Sequence, residues 1–191
     1  MKPSPSAEAQ MAQKVLDLLP KDAIAFGPVG SRLHGLETKD SDHDYLVIVT
    51  GKDKRPQRFL DEFDLQFVSL SSLLERAQFS PSFAEMCLLS SGKMIVVDPS
   101  FAPILSSIRI SYLSAYNVLS RFTEFTQEML EKQLERGEVD KAYKSLRVII
   151  RNEILLEKLL VEPVFSPVFT PEEKAIYRQR LLSEGEKLGL V

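Results

Sequence analysis

The chain has little of what several large function classes require. It holds one cysteine, Cys87, and two histidines, His34 and His43, in 191 residues. A single thiol excludes an internal disulfide and fits a reducing, cytoplasmic setting. With no cysteine near either histidine, zinc chemistry is not supported. No apolar run approaches the roughly 20 residues of a membrane span, and no apolar signal segment follows the first residues. The net charge is only −3, so there is no global pull toward nucleic acid. No Gly-Lys-Ser/Thr follows a glycine loop, which removes a Walker-type phosphate site. What is present suffices for one compact domain, or for a small α/β domain with a helical extension.

Apolar periodicity divides the chain in two. Ala9 to Leu19 reads as a helix ended by Pro20. Strand-like runs follow at Ala23 to Gly27, Asp44 to Val49 and Asp64 to Ser69. Ser71 or Ser72 is placed to cap a helix through Gln78, and Ser82 another reaching Leu89. Met94 to Val97 reads as a fourth or edge strand. Beyond it, Tyr112, Tyr116, Leu119, Phe122 and Met129 recur at three- and four-residue steps, predicting a long amphipathic helix to about Arg136. Gly137 ends it. A second long helix is expected over Val139 to Leu160. Pro163, Pro167 and Pro171 punctuate a loop that Phe165 and Phe169 pin to the core. Thr170-Pro171-Glu172-Glu173 has the cap, proline and acid signature of a last helix. The expectation is an α+β fold: a small mixed β-sheet core over 1–100 with helices on one face, and a C-terminal helical region over 101–191 packed on it.

The richest segment is Gly30 to Asp44. Gly30-Ser31 closes one apolar run, and two aspartates one residue apart, Asp42 and Asp44, open the next. On a strand those carboxylates share a face and His43 points away. Paired carboxylates repel unless a cation lies between them, and a hard divalent ion suits oxygen ligands. Gly30 has no Cβ, so a phosphate can come close to the backbone. Ser31 offers a hydroxyl and an amide, and a helix starting at Arg32 would add amides with positive potential. An EF-hand does not fit. Asp40, Asp42 and Asp44 match its first ligand positions, but Tyr45 and Gly51 stand where Gly and Glu are needed. Cys87, in Met86-Cys87-Leu88-Leu89, reads as core. His34 is a contact to nucleotide or a partly exposed bystander.

Gly30-Ser31-Arg32, Gly35, and Asp40-Ser41-Asp42-x-Asp44-Tyr45 leading into an apolar strand resemble the polymerase-β-type nucleotidyltransferase superfamily. Within it, the string is similar to bacterial and phage members that include an RNA-repair-associated branch. The resemblance covers about residues 23 to 90. It implies a third acidic residue on a neighbouring strand, matched here by Asp64, with Asp61 and Glu62 as competitors if the register differs. Ala84-Glu85-Met86 resembles a family helix carrying a Glu. Tyr143-Lys144 and Arg151 resemble a helical motif with Lys and Arg seven apart. The His often found between them is Val148 here.

The resemblance implies a two-metal nucleotidyltransferase. Asp42, Asp44 and Asp64 would be catalytic and hold two Mg2+, or Mn2+, ions. Gly30, Ser31, Arg32, Lys144 and Arg151 would bind the nucleotide, ATP by default. The acceptor is open: an RNA end, a protein side chain or a small molecule. A basic loop (Lys52, Lys54, Arg55, Arg58) reads as a solvated connection or as a contact to a nucleic-acid backbone. A homodimer is allowed by the long striped helices, and no membrane partner is expected. The rival expectation is a non-catalytic relative, such as the antitoxin-like half of a pair.

Overall fold

The computed structural model describes residues 7–38, 41–52, 57–59 and 63–191, with only the backbone at 7–9 and 57–59. Asp40, Lys54, Arg55, Asp61 and Glu62 lie outside the described residues, as does the side chain of Arg58.

Helix α1 (Ala7–Leu18) precedes strand β1 (Ala23–Pro28), the short helix α2 (Gly30–His34) and strand β2 (His43–Val49). Strands β3 (Gln57–Phe59) and β4 (Phe63–Ser69) form a hairpin, and β5 (Ile95–Val96) is an edge strand. Among the described residues the sheet runs β3-β4-β2-β1-β5. The β2–β4 pair is parallel and the other pairs are antiparallel, so the sheet is mixed.

The faces follow from alternation along β2. Leu46 and Ile48 join Val68, Leu73, Leu88 and Leu105 in one buried cluster. That cluster draws on helices α3 (Leu70–Arg76), α4 (Phe83–Ser90) and α5 (Ala102–Ser107). Tyr45, Val47 and Val49 join Phe26, Phe63, Leu65, Phe67 and Val15 on the other face. The helices expected on one face are thus accompanied by α1 on the opposite one. Its Met11, Ala12 and Leu16 pack on that second cluster.

The C-terminal helical region is built from α6 (Tyr112–Glu135), α7 (Val139–Val161) and α8 (Pro171–Lys187). Gly137, at φ 67°, makes the tight corner between α6 and α7. Thr170 caps α8 through a reciprocal box with Glu173. A third buried cluster joins Leu119, Leu146, Ile150 and Leu155 of this region to Leu33, Leu36, Met86 and Cys87 of the sheet region. Among the described residues, no helix is long and apolar enough to cross a membrane.

Two boundaries differ from expectation. Ser69, not Ser71 or Ser72, caps α3, accepting from the amide of Ser72 at 3.1 Å. It is the last residue of β4 and already extended, which is the backbone an N-cap needs. The segment Pro99–Ser107, where no helix is expected, forms a 3-10 turn running into α5.

Candidate active site

Strand β1 ends at Pro28, and the chain turns at Gly30 with φ 68° into α2. The amide of Val29 donates to the carbonyl of Asp44 at 2.9 Å, fixing the turn to the start of β2. A Cβ on Gly30 would overlap Oδ2 of Asp44. The expected room beside Gly30 therefore exists, but the carboxylate of Asp44 occupies it rather than leaving it open for a phosphate. Ser31 sits half-buried in the first turn of α2. That helix closes at Gly35, φ 69°, whose amide bonds back to Arg32.

Asp44 and Asp64 are register partners on the parallel strands β2 and β4. Their Cα atoms are therefore about 5 Å apart and their side chains leave the same face. Asp42 is placed differently from the expectation. The strand begins at His43, so Asp42 lies ahead of it in an exposed loop, and strand alternation does not fix its direction. All three charges still act together. Burial, then the negative charges of Asp64 and Asp42, push the carboxyl of Asp44 up to about 6, against a smaller opposing pull from Arg32. This is the electrostatic signature of a carboxyl partly desolvated beside like charges. Among the described residues, no three acidic, His or Cys side chains stand at metal-caging distances. The donor chemistry nonetheless fits a hard divalent cation: oxygen ligands, negative charge in excess, and a carboxylate already costly to ionise. Asp44 and Asp64 would hold it, with Asp42 in electrostatic reach.

Arg32 has a role that the sequence did not suggest. Its Nη2 donates to the Ser41 carbonyl at 2.8 Å and its Nε to the Asp42 carbonyl at 3.2 Å. The guanidinium thus ties the aspartate loop to α2. It also lines a cavity of about 480 Å³ with Asp44, Glu37, His43, Tyr45, Pro28, Met11, Ala12, Lys93 and Ile95. That volume falls in the roughly 300–1,000 Å³ range of small-molecule sites. His43 packs its ring on Phe63 at 5.6 Å, on the sheet face away from Asp44. The cavity wraps the sheet end, so both residues border it.

The remaining expected site residues are not with the carboxylates. Lys144 is exposed on α7. Arg151 lies deep among the helices with only part of its surface open. Its guanidinium stacks on Phe83 at 4.4 Å and donates twice to Asn152 Oδ1, at 3.1 and 2.8 Å. Burial holds its pKa down to about 10. Glu85 is structural. Its Oε2 accepts from the Ser82 amide at 2.8 Å, closing a capping box, and its Oε1 meets Arg76 at 2.5 Å. Cys87 is buried in the core as expected, its thiol pushed up to about 12 by desolvation.

His34 is neither a nucleotide contact nor an exposed bystander. It is fully buried, with Nδ1 2.6 Å from the Pro167 carbonyl. Burial first, then the charge of Arg151, lowers its pKa to about 3. The ring is neutral, and the bond to Pro167 places its hydrogen on Nδ1. Only the spacing of His34 to Leu33 and Leu36 on an apolar turn hinted at a core position.

No known protein family matches the chain, and no curated protein does. Among solved structures, the chain is similar to a nucleotidyltransferase-like protein from Exiguobacterium sibiricum. The two share 14% identity over 96% of this chain and 70% of the other, with a TM-score of 0.38. So remote a likeness adds nothing to the geometry, and the functional reading rests on the residues above.

Proposed function

We propose that the chain is a metal-dependent nucleotidyltransferase that moves a nucleoside monophosphate from a triphosphate, ATP by default, to a hydroxyl acceptor. The observation that carries this reading is the Asp44–Asp64 register pair beside the Gly30 turn, with its excess negative charge. Asp42, Asp44 and Asp64 are the residues to hold Mg2+ or Mn2+, one ion or two. Bound there, a divalent ion supplies Lewis-acid polarisation of phosphate oxygens and lowers the pKa of an acceptor hydroxyl.

The chain's own residues have separable tasks. Arg32 and the amide and hydroxyl of Ser31 would steady the departing pyrophosphate. The cavity beside Asp44 would take the nucleoside, with Met11, Ala12 and Ile95 as apolar wall and His43 and Tyr45 as rings. Asp64 would accept the acceptor's proton. The acceptor oxygen forms a bond to the α-phosphorus as the α–β bridging bond breaks, and pyrophosphate leaves. Lys144 and Arg151 belong to a separate cationic region. The acceptor is proposed as a hydroxyl, with an RNA end foremost.

The deciding experiment incubates the full chain with ATP labelled at the α-phosphate, Mg2+, and pools of RNA and protein. Label should appear on one acceptor class and vanish with EDTA or in Asp44→Asn. Absence of label on every pool, together with stable capture of one partner protein, would replace this reading by the non-catalytic one.

A further inference from the structure

Two carboxylates border the cavity beside the Gly30 turn, Asp44 and Glu37. Asp44 has a task in the metal reading, and Glu37 has none. Glu37 is exposed, and among the described residues its side chain takes no hydrogen-bond or ion-pair partner. This is so although two cations, Arg32 and Lys93, border the same cavity.

The backbone that carries Glu37 is fixed on both sides. Just before it, the buried Leu36 donates its amide to the Ser31 carbonyl at 3.0 Å, and its carbonyl accepts from Nη2 of Arg147 at 2.9 Å. Just after it, the amide of Thr38 donates to the Ser41 hydroxyl at 2.8 Å, and the Ser41 amide returns to the Thr38 carbonyl at 3.1 Å. Arg32 in turn holds the Ser41 carbonyl. Helices α2 and α7 and the aspartate loop thus converge on the two neighbours of one exposed carboxylate. A side chain on so constrained a backbone loses little freedom on binding, which favours preorganised recognition.

Its place along α2 sets its distance from the metal-binding end. The Gly30 turn touches Asp44, and Gly30 to Gly35 spans about 8 Å at helical rise. Glu37 lies two residues past that far end. A carboxylate there stands away from the triphosphate it would repel, and about one ribose and base away from an α-phosphate held at Asp44.

We infer that Glu37 is a specificity-determining residue whose carboxylate accepts a hydrogen bond from the exocyclic amine of the donor's base. A carboxylate only accepts. Adenine and cytosine carry an amine at the corresponding ring position, where uracil and guanine carry a carbonyl. A carbonyl facing Glu37 would set two acceptors against each other with no hydrogen between them. Sites built on a polar bond reject an analogue that lacks it more strongly than apolar walls reject a change of size. The rings of His43 and Tyr45 and the side chain of Ile95 offer the base a surface, but not this choice. Glu37 can act so only if the cavity takes the donor's nucleoside, as proposed above.

The test measures affinity by calorimetry on the full chain with Mg2+ and no acceptor. The probes are ATP and purine riboside triphosphate, which differs only by lacking the amine. Wild type should bind ATP about tenfold more tightly, the order of one hydrogen bond to a charged group. The two affinities should become equal in Glu37→Ala and stay unequal in Glu131→Gln, an exposed change on α6. Glu37→Gln adds a donor, so it should bind UTP more tightly than wild type does. CTP that competes as well as ATP assigns the amine alone as the feature read; ATP favoured over CTP assigns the purine as well, and both support the role of Glu37. Equal affinities in wild type overturn it. So does a ratio that survives Glu37→Ala, since loss of a negative charge alone would tighten both nucleotides together. No binding of either nucleotide overturns this role and the nucleotide reading together. Base-selective binding without label transfer to any acceptor counts against the catalytic reading alone, and transfer without base preference counts against Glu37 alone.

Discussion

Asp44 and Asp64 face each other across a parallel strand pair, and the turn at Gly30 presses its backbone onto the Asp44 carboxylate. This arrangement is poor for folding and good for binding a cation. One carboxyl is partly desolvated, placed beside two others, and pushed up to about 6. Like charges this close are unfavourable unless a cation joins them, and such perturbed carboxyls mark functional sites.

That strain predicts a stabilising substitution. Without metal, the folded state holds the Asp44 proton more tightly than the unfolded chain, whose carboxyl titrates at 3.8. The stabilising contribution is complete below about 4 and is lost as pH rises through about 6. Above that, ionised Asp44 is a burden. Asp44→Asn should therefore be more stable than wild type at pH 8 in EDTA, by roughly 1 kcal/mol after discounting a half-exposed group for solvent screening. The advantage should shrink toward pH 4. Urea unfolding at the two pH values checks this. Added Mg2+ should raise the wild-type midpoint and leave the variant unmoved.

Gly30→Ala separates close approach from backbone strain. Gly137 has nearly the same φ, 67° against 68°, but nothing lies near the position its Cβ would take. Gly137→Ala should cost about 1 kcal/mol from the left-handed backbone alone. Gly30→Ala should cost more, because Asp44 must move, and should also abolish stabilisation by Mg2+. Equal melting temperatures for the two variants would show that the contact with Asp44 carries no energy.

Much of this site was legible in the sequence, and the reason is periodicity. Tyr45 to Val49 and Phe63 to Ser69 are apolar runs bounded by turns, so the strands and the placement of Asp44 were readable. The same period misplaced Asp42, because the strand starts one residue after it. The roles of Arg32 and His34 were hidden for another reason. Arg32 bonds to carbonyls nine and ten residues away, and His34 to one 133 residues away. Sequence spacing reports neighbours on one element and says little about carbonyls that tertiary packing brings in. The same limit applied to Arg151, which shares a helix face with Lys144 as expected but sits on Phe83 behind α2.

His34 predicts the opposite pH dependence to Asp44. Its folded pKa of about 3 lies below the usual 6.5, so its contribution is present above about 6.5 and is lost as pH falls. At pH 5 the wild type should have lost about 2 kcal/mol through this residue, at 1.36 kcal/mol per unit. His34→Gln cannot titrate and can still donate to the Pro167 carbonyl. Its stability should fall less than that of wild type between pH 7 and pH 5. Parallel pH profiles for the two proteins would mean that the imidazole is solvated.

Arg32→Lys asks whether charge or shape matters next to the aspartates. Lysine keeps the positive charge that favours ionisation of Asp44 to a small extent. It cannot make two divergent bonds to the Ser41 and Asp42 carbonyls from one planar group. If the guanidinium acts by placing the loop, Arg32→Lys should lower label transfer by about 10–100-fold, the order expected when a reacting group is displaced by an ångström. Amide exchange at Asp42 and His43 should quicken while the melting temperature changes little, because the bonds of Arg32 lie outside the three buried clusters. If only charge matters, transfer should survive and exchange at the loop should match wild type. The two outcomes cannot coincide, since a loop still held in place exchanges slowly whatever cation stands beside it.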